Sequence, residues 1–267
     1  MRLKPRRISK YLLALPSFLA AMACSPSWQD QMDLAQSLQA EKRSMEAIAV
    51  YEQALEKRPQ HRGAATVLLK IGNLYYVSLQ QPQQALETLR KLTTEYAKRP
   101  EAREALKIQA RIYEEQEVWT DAIASYAVLL ERYPDHQDNA EFKYRIGKLH
   151  QQRGDLKQAQ LELENFLSKH PTSPWSDAAH FQLGEIYFAV KEFPKAYEHY
   201  MTVPQQFPQS ALKSNALYNA GLTLEQLGEW DQAIVIYEQL LPTHSNPQML
   251  KRQIDQLKRR RREAGRG

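Results

Sequence analysis

A single cysteine in 267 residues leaves no partner for an internal disulfide, so nothing in this chain is stapled covalently. Nine glycines are too few and too scattered for a phosphate-cradling loop. Runs of alternating apolar and polar residues are missing, which takes strands out of the reading. The longest apolar stretch, Tyr11 to Ala23, falls short of the ~20 residues that a membrane-spanning helix needs. There is no paired-histidine zinc motif and no nucleophile elbow. The seven histidines, His61, His136, His150, His170, His180, His199 and His244, are spread along the chain at no ligand spacing. The expectation is a non-enzymatic chain with no catalytic residue, no cofactor, no metal and no small-molecule substrate.

What the chain does have is a period. Alanine recurs at Ala47, Ala85, Ala122, Ala159, Ala196 and Ala233, at intervals of 38, 37, 37, 37 and 37 residues. Four residues after each stands a bulky side chain: Tyr51, Leu89, Tyr126, Leu163, Tyr200 and Tyr237. Proline follows twelve residues after the alanine at Pro59, Pro134, Pro171 and Pro208. Upstream, a small residue recurs at Gly72, Ala110, Gly147, Gly184 and Gly221. Two helices approach to roughly 8–10 Å only where a small side chain on one admits a ridge from the other, so the alanines and glycines mark helix crossings. This resembles the helix-turn-helix grammar of the tetratricopeptide repeat, lengthened by about three residues over its ~34. The predicted fold is all-α, a right-handed superhelical solenoid of about six helix pairs, because one pair cannot bury its apolar face alone.

The fourth repeat shows the local signals most fully. Helical periodicity predicts a first helix over 139–152 and a second over 155–169. Gly154 supplies the left-handed residue between them, Asp155 caps the second helix, and Pro171 stops it. The repeats are expected near 28–61, 65–100, 103–137, 140–174, 177–211 and 214–248, within a solenoid spanning 24–248. The residues after each proline are expected to form a longer inter-repeat loop, and residues 249–267 a capping helix with a basic tail, since Leu250, Ile254 and Leu257 fall on one helical stripe.

Residues 1–23 stand apart from the repeats. Arg2, Lys4, Arg6, Arg7 and Lys10 precede the apolar stretch, and Ala21-Met22-Ala23 gives a small-x-small exit, the three parts of a secretory signal peptide. Cys24 follows at once. The arrangement resembles the bacterial lipoprotein signal, which implies lipidation of Cys24; Ala21 and Met22 depart from that signal's usual box, and cleavage at the same bond without lipidation stays open. With Ser25 next, the resemblance implies an outer-membrane anchor facing the periplasm, and the alternative is a soluble periplasmic chain.

Without residues 1–23, basic and acidic residues balance at 31 each, but unevenly: residues 24–250 carry six more acids than bases, and residues 251–267 six more bases than acids. An acidic solenoid argues against nucleic acid, whose phosphates need a basic face. The run Lys258, Arg259, Arg260, Arg261 and Arg262 is either a solvated tail or a contact to acidic lipid or to a partner's acidic surface. Groove residues are expected on the first helices: Tyr144, Phe181 and Tyr218 at 37-residue intervals, with Arg111, Lys148 and Glu185 about a turn away. The competing expectation is that the aromatics pack between repeats. Trp175, in an inter-repeat loop, is a further contact candidate or a core seal.

Tyr133-Pro134-Asp135, the stretch from His170 to Phe188, and Phe207-Pro208-Gln209-Ser210 resemble the long-loop repeats of two envelope families, the BamD-type outer-membrane assembly lipoproteins and the carboxy-terminal domain of the Tol-Pal coordinator. The resemblance implies a protein-interaction scaffold whose partners are other envelope proteins: outer-membrane assembly, secretin or Tol-Pal components. Two alternatives stay open, a pilotin of type IV pilus or secretion secretins and a soluble periplasmic Tol-Pal or cell-wall coordinator.

Overall fold

The computed structural model describes residues 26–264, and its described residues contain helices and no strand. The signal-peptide and Cys24 readings lie outside the described residues. The chain divides into two compact units, one ending at His61 and one beginning at Arg62.

The described part of the first unit is one helix pair, α1 (Trp28–Ala40) and α2 (Ser44–Lys57). Ser27 opens α1 with a capping box: its hydroxyl accepts from the Asp30 amide, and the Asp30 carboxylate accepts from the Ser27 amide at 2.8 Å. Such a box satisfies two backbone donors that a helix start leaves unpaired. Tyr51, fully buried on α2, donates its hydroxyl to Gln39 Oε1 at 2.7 Å, and Trp28 stacks on His61 at 3.9 Å.

The second unit continues in the same style. α3 (Ala64–Asn73), extended by a π-helical turn over Leu74–Ser78, pairs with α4 (Pro82–Glu95), and α5 (Pro100–Glu115) pairs with α6 (Trp119–Arg132). Next come α7 (Asn139–Gln152) with α8 (Leu156–Lys169), α9 (Ser176–Ala189) with α10 (Phe193–Gln206), and α11 (Lys213–Leu227) with α12 (Trp230–Leu240). α13 (Pro247–Ala264) packs on α12.

All six periodic alanines are fully buried, and the bulky residue four positions on is buried in every pair. The glycines show why. A Cβ built on Gly147 would sit 2.8 Å from the Leu163 side chain, and one on Gly221 only 2.3 Å from Tyr237 Cε1. The small residue on each first helix is thus the hole into which the large residue of its own second helix fits.

Every helix pair turns through one residue of positive φ, at Lys42, Gln80, Glu117, Gly154, Lys191 and Gly228. In five of the six, the next amide reaches back to the carbonyl five residues earlier, as from Asp155 to His150 at 2.9 Å and from Glu192 to Tyr187 at 2.8 Å. That bond satisfies carbonyls that a helix end would otherwise leave unpaired. Asp155 does stand at the start of α8, but its side chain caps nothing: the carboxylate is taken by Arg153, whose Nε lies 2.7 Å away, so the backbone turn closes this corner without a side-chain cap.

Between pairs, the connectors at 133–138, 170–175 and 207–212 share one construction, two successive turns closed by bonds three residues apart: His136 to Tyr133 and Asn139 to His136, Ser173 to His170 and Ser176 to Ser173, Ser210 to Phe207 and Lys213 to Ser210. Asn139 and Ser176, first residues of their helices, also donate side-chain bonds to the connector's opening carbonyls.

Candidate functional site

The first helices of the second unit carry the residues expected to line a groove, and each sits in a different setting. Arg111 on α5 is exposed. Lys148 on α7 is half-buried and forms no ion pair among the described residues. Tyr144 corrects the expectation of an open binding ring: at 6% exposure it is enclosed, stacked on Trp175 at 5.4 Å and tilted against Phe166 at 6.1 Å. The reason is the connector, which lays Trp175 over it from the following repeat. Burial raises its phenol pKa to about 12.

Phe181 and Tyr218 keep an exposed edge. Phe181 meets Tyr200 edge-on at 5.7 Å, and Tyr218 tilts against Tyr237 at 5.9 Å and His244 at 5.6 Å. Trp175 is half-buried, with the Arg145 guanidinium 5.7 Å from its ring, so it serves packing between repeats as well as any contact. The aromatics and the charges thus share a face without forming one continuous open stripe.

Polar residues of consecutive repeats are tied across the same face. Arg145 bridges Glu114 of the preceding repeat at 3.2 Å and Glu141 of its own helix at 2.7 Å. Glu114 also accepts from the buried Tyr126 hydroxyl, whose pKa is raised first by burial and then by that carboxylate. Arg103 and Lys107 on α5 reach Asp138 in the next connector at 2.7 and 3.4 Å, and the bond from Arg103 holds the Asp138 carboxyl below its usual range. Gln151 on α7 donates to Glu185 on α9 at 3.2 Å. Burial pushes the Glu185 carboxyl up, and the Gln151 bond opposes that.

One pair was missed in the sequence. His180 on α9 and His199 on α10 meet Nδ1 to Nδ1 at 3.0 Å, one ring donating and the other accepting, with His199 stacked on Tyr187 at 5.3 Å. Burial, followed by the neighbouring imidazole, lowers the His180 pKa to about 4. The signal was available in the repeat register, since the two histidines occupy facing positions of one helix pair. Among the described residues no group of three or more His, Cys, Asp or Glu is placed to hold a metal ion, and no helix is long and apolar enough to cross a membrane.

The basic run is not a loose tail. Lys258 to Arg262 continue α13, where Lys258 pairs with Glu238 at 2.8 Å and Arg261 with Asp231, while Arg259, Arg260 and Arg262 are exposed.

Set beside known proteins, residues 30–94 and 69–136 match models of the tetratricopeptide repeat. The fold is an all-α tetratricopeptide-repeat superhelix. Residues 136–259 match a family described as outer membrane lipoprotein, YfiO. Cellulose synthase operon protein C of Pseudomonas fluorescens (strain SBW25) is 33% identical over 100 residues, a stretch that takes in 38% of this chain and 7% of that protein. Among solved structures, a tetratricopeptide repeat protein from Parabacteroides merdae superposes with a TM-score of 0.58 at 16% identity, covering 86% of both chains. Pseudomonas aeruginosa pilF does so with a TM-score of 0.52 at 15% identity, covering 85% of this chain and 97% of that one. At these identities the superpositions speak for the fold.

Proposed function

We propose that this chain is a non-enzymatic protein-protein interaction scaffold of the bacterial envelope, anchored by a lipid on Cys24 to the outer membrane, facing the periplasm, and working in outer-membrane assembly. The match of residues 136–259 to an outer membrane lipoprotein family carries the reading. The repeat architecture supports the scaffold half of it, because stacked helix pairs offer long surfaces for partner segments. The positions proposed to face a partner are Arg111, Lys148, Phe181, Glu185 and Tyr218, with Trp175 and the exposed arginines of α13 as secondary contacts.

The test is a photocrosslinking residue at Lys148 in intact cells, with the captured protein identified. Subunits of the outer-membrane assembly machinery are the expected catch; a secretin or Tol-Pal component would overturn the assembly role. In parallel, Cys24→Ala should abolish acyl labelling and move the chain to the soluble periplasmic fraction, and a wild type that takes no label would remove the anchor from the proposal.

A further inference from the structure

Along the face that carries the proposed groove, the chain supplies positive partners for most of its own buried carboxylates. Glu114 and Glu141 share the Arg145 guanidinium, and Asp138 takes both Arg103 and Lys107. Glu185 differs. It is half-buried on α9, and the group bonded to it is neutral, the Gln151 amide at 3.2 Å. No lysine, arginine or histidine pairs with it among the described residues, and even partial burial disfavours a carboxylate without a counter-charge.

Beside this carboxylate lies a cavity of about 250 Å³, lined by Glu185, Phe188, Tyr200, Asn219 and Leu222. The Gln151 side chain that donates to Glu185 keeps its own Oε1 buried without a donor, although it does not line the cavity. Carboxylates seek donors, and no residue lining this cavity carries positive charge, so the cavity leaves room beside Glu185 for a cation from outside the chain. The cavity lies below the roughly 300–1,000 Å³ of small-molecule sites, a size for one side chain rather than a cofactor. A lone carboxylate with amide oxygens also falls short of the six to eight oxygen ligands of a calcium site. The net acidity of residues 24–250 points to a basic partner as well.

We propose that this cavity receives the ammonium or guanidinium of a lysine or arginine from a partner polypeptide, with Glu185 as its counter-ion and the Phe188 ring against the aliphatic stem. The site does for a partner's cation what Glu114 and Glu141 do for Arg145. The inference rests on the scaffold reading and names the chemistry of the segment bound there.

The experiment uses the full chain and a fluorescein-labelled dodecapeptide of alternating lysine and serine, read by anisotropy beside a counterpart with norleucine for lysine. The lysine peptide should bind and the norleucine peptide should not. Glu185→Gln, which keeps the shape and can still bond Gln151, should weaken binding by about tenfold or more. Glu131→Gln, on the exposed side of α6, should leave the affinity within about twofold. Denaturant melts of both variants establish that each is folded. Equal affinity for wild type and Glu185→Gln overturns the proposal, as does an equal loss in Glu131→Gln, which would reduce the binding to general acidity. Cellular crosslinking separates this failure from that of the scaffold: a wild type that captures its envelope partner but binds both peptides alike loses the cation site and keeps the scaffold, whereas a wild type that captures nothing loses the scaffold itself.

Discussion

Four of the six corner residues with positive φ are Lys42, Gln80, Glu117 and Lys191, side chains that enter the left-handed region at a cost of roughly 1–2 kcal/mol. Lys191→Gly should therefore stabilise the chain by about 0.5–1 kcal/mol, the relieved strain exceeding the extra freedom glycine gains on unfolding. The converse change, Gly154→Ala, should cost about 1 kcal/mol through the backbone alone, since its new Cβ meets nothing within 4 Å. Gly221→Ala should cost more, about 1–3 kcal/mol, because its Cβ would strike a Tyr237 ring fixed by hydroxyl bonds to Glu225 at 2.7 Å and Gln253 at 3.1 Å. Denaturant midpoints order the three. At this scale the sequence spoke only where chemistry is selective. Gly154 and Gly228 announced their corners, whereas lysine, glutamine and glutamate do not, because the turn constrains a backbone angle that those side chains tolerate without advertising.

At the scale of helices the sequence was far more legible. Periodicity placed the fourth repeat's first helix over the same residues the structure does, and its second within one residue. The buried alanines and their bulky followers were legible too, since a crossing admits few side chains. Which ring stays open was not. Tyr144, Phe181 and Tyr218 are equivalent by spacing, yet Trp175 covers the first of them, and only the path of a connector decides that. The register does set His180 and His199 at facing positions of α9 and α10, where their rings meet at 3.0 Å. His180 titrates near 4 when folded and near 6.5 when unfolded, so between those values the unfolded chain binds the proton that the folded chain refuses, and stability falls as pH drops through that window. The groups around the pair are Glu198, Lys195 and the α8 carboxylate of Glu164. Melting followed from pH 7 to 4.5 should fall more steeply for the wild type than for His180→Gln; parallel curves would show that the pair does not carry the acid sensitivity.

For the molecule as a whole, stability in a repeat array is a sum over units and their interfaces, so the helix that covers an end counts for more than its length suggests. α13 brings Leu250, Ile254 and Leu257 into one apolar cluster with Ile236, Tyr237 and Leu240. Leu250→Ala should cost about 2–5 kcal/mol in denaturant melts, while Lys258→Ala, which breaks only the exposed pair with Glu238, should cost about 1 kcal/mol or less. Loss of stability in Lys258→Ala matching that of Leu250→Ala would mean that charge rather than burial holds α13 in place. The same helix bears on something other than stability. A stack of like units is an open series, and a bare final face would accept the leading face of another molecule as readily as one more of its own repeats, the head-to-tail contact from which fibres grow. α13 lays Leu250, Ile254 and Leu257 over the apolar residues of α12 and leaves Lys251, Arg252, Arg259 and Arg262 exposed, so a second copy arriving there finds a charged helix surface in place of an apolar seat.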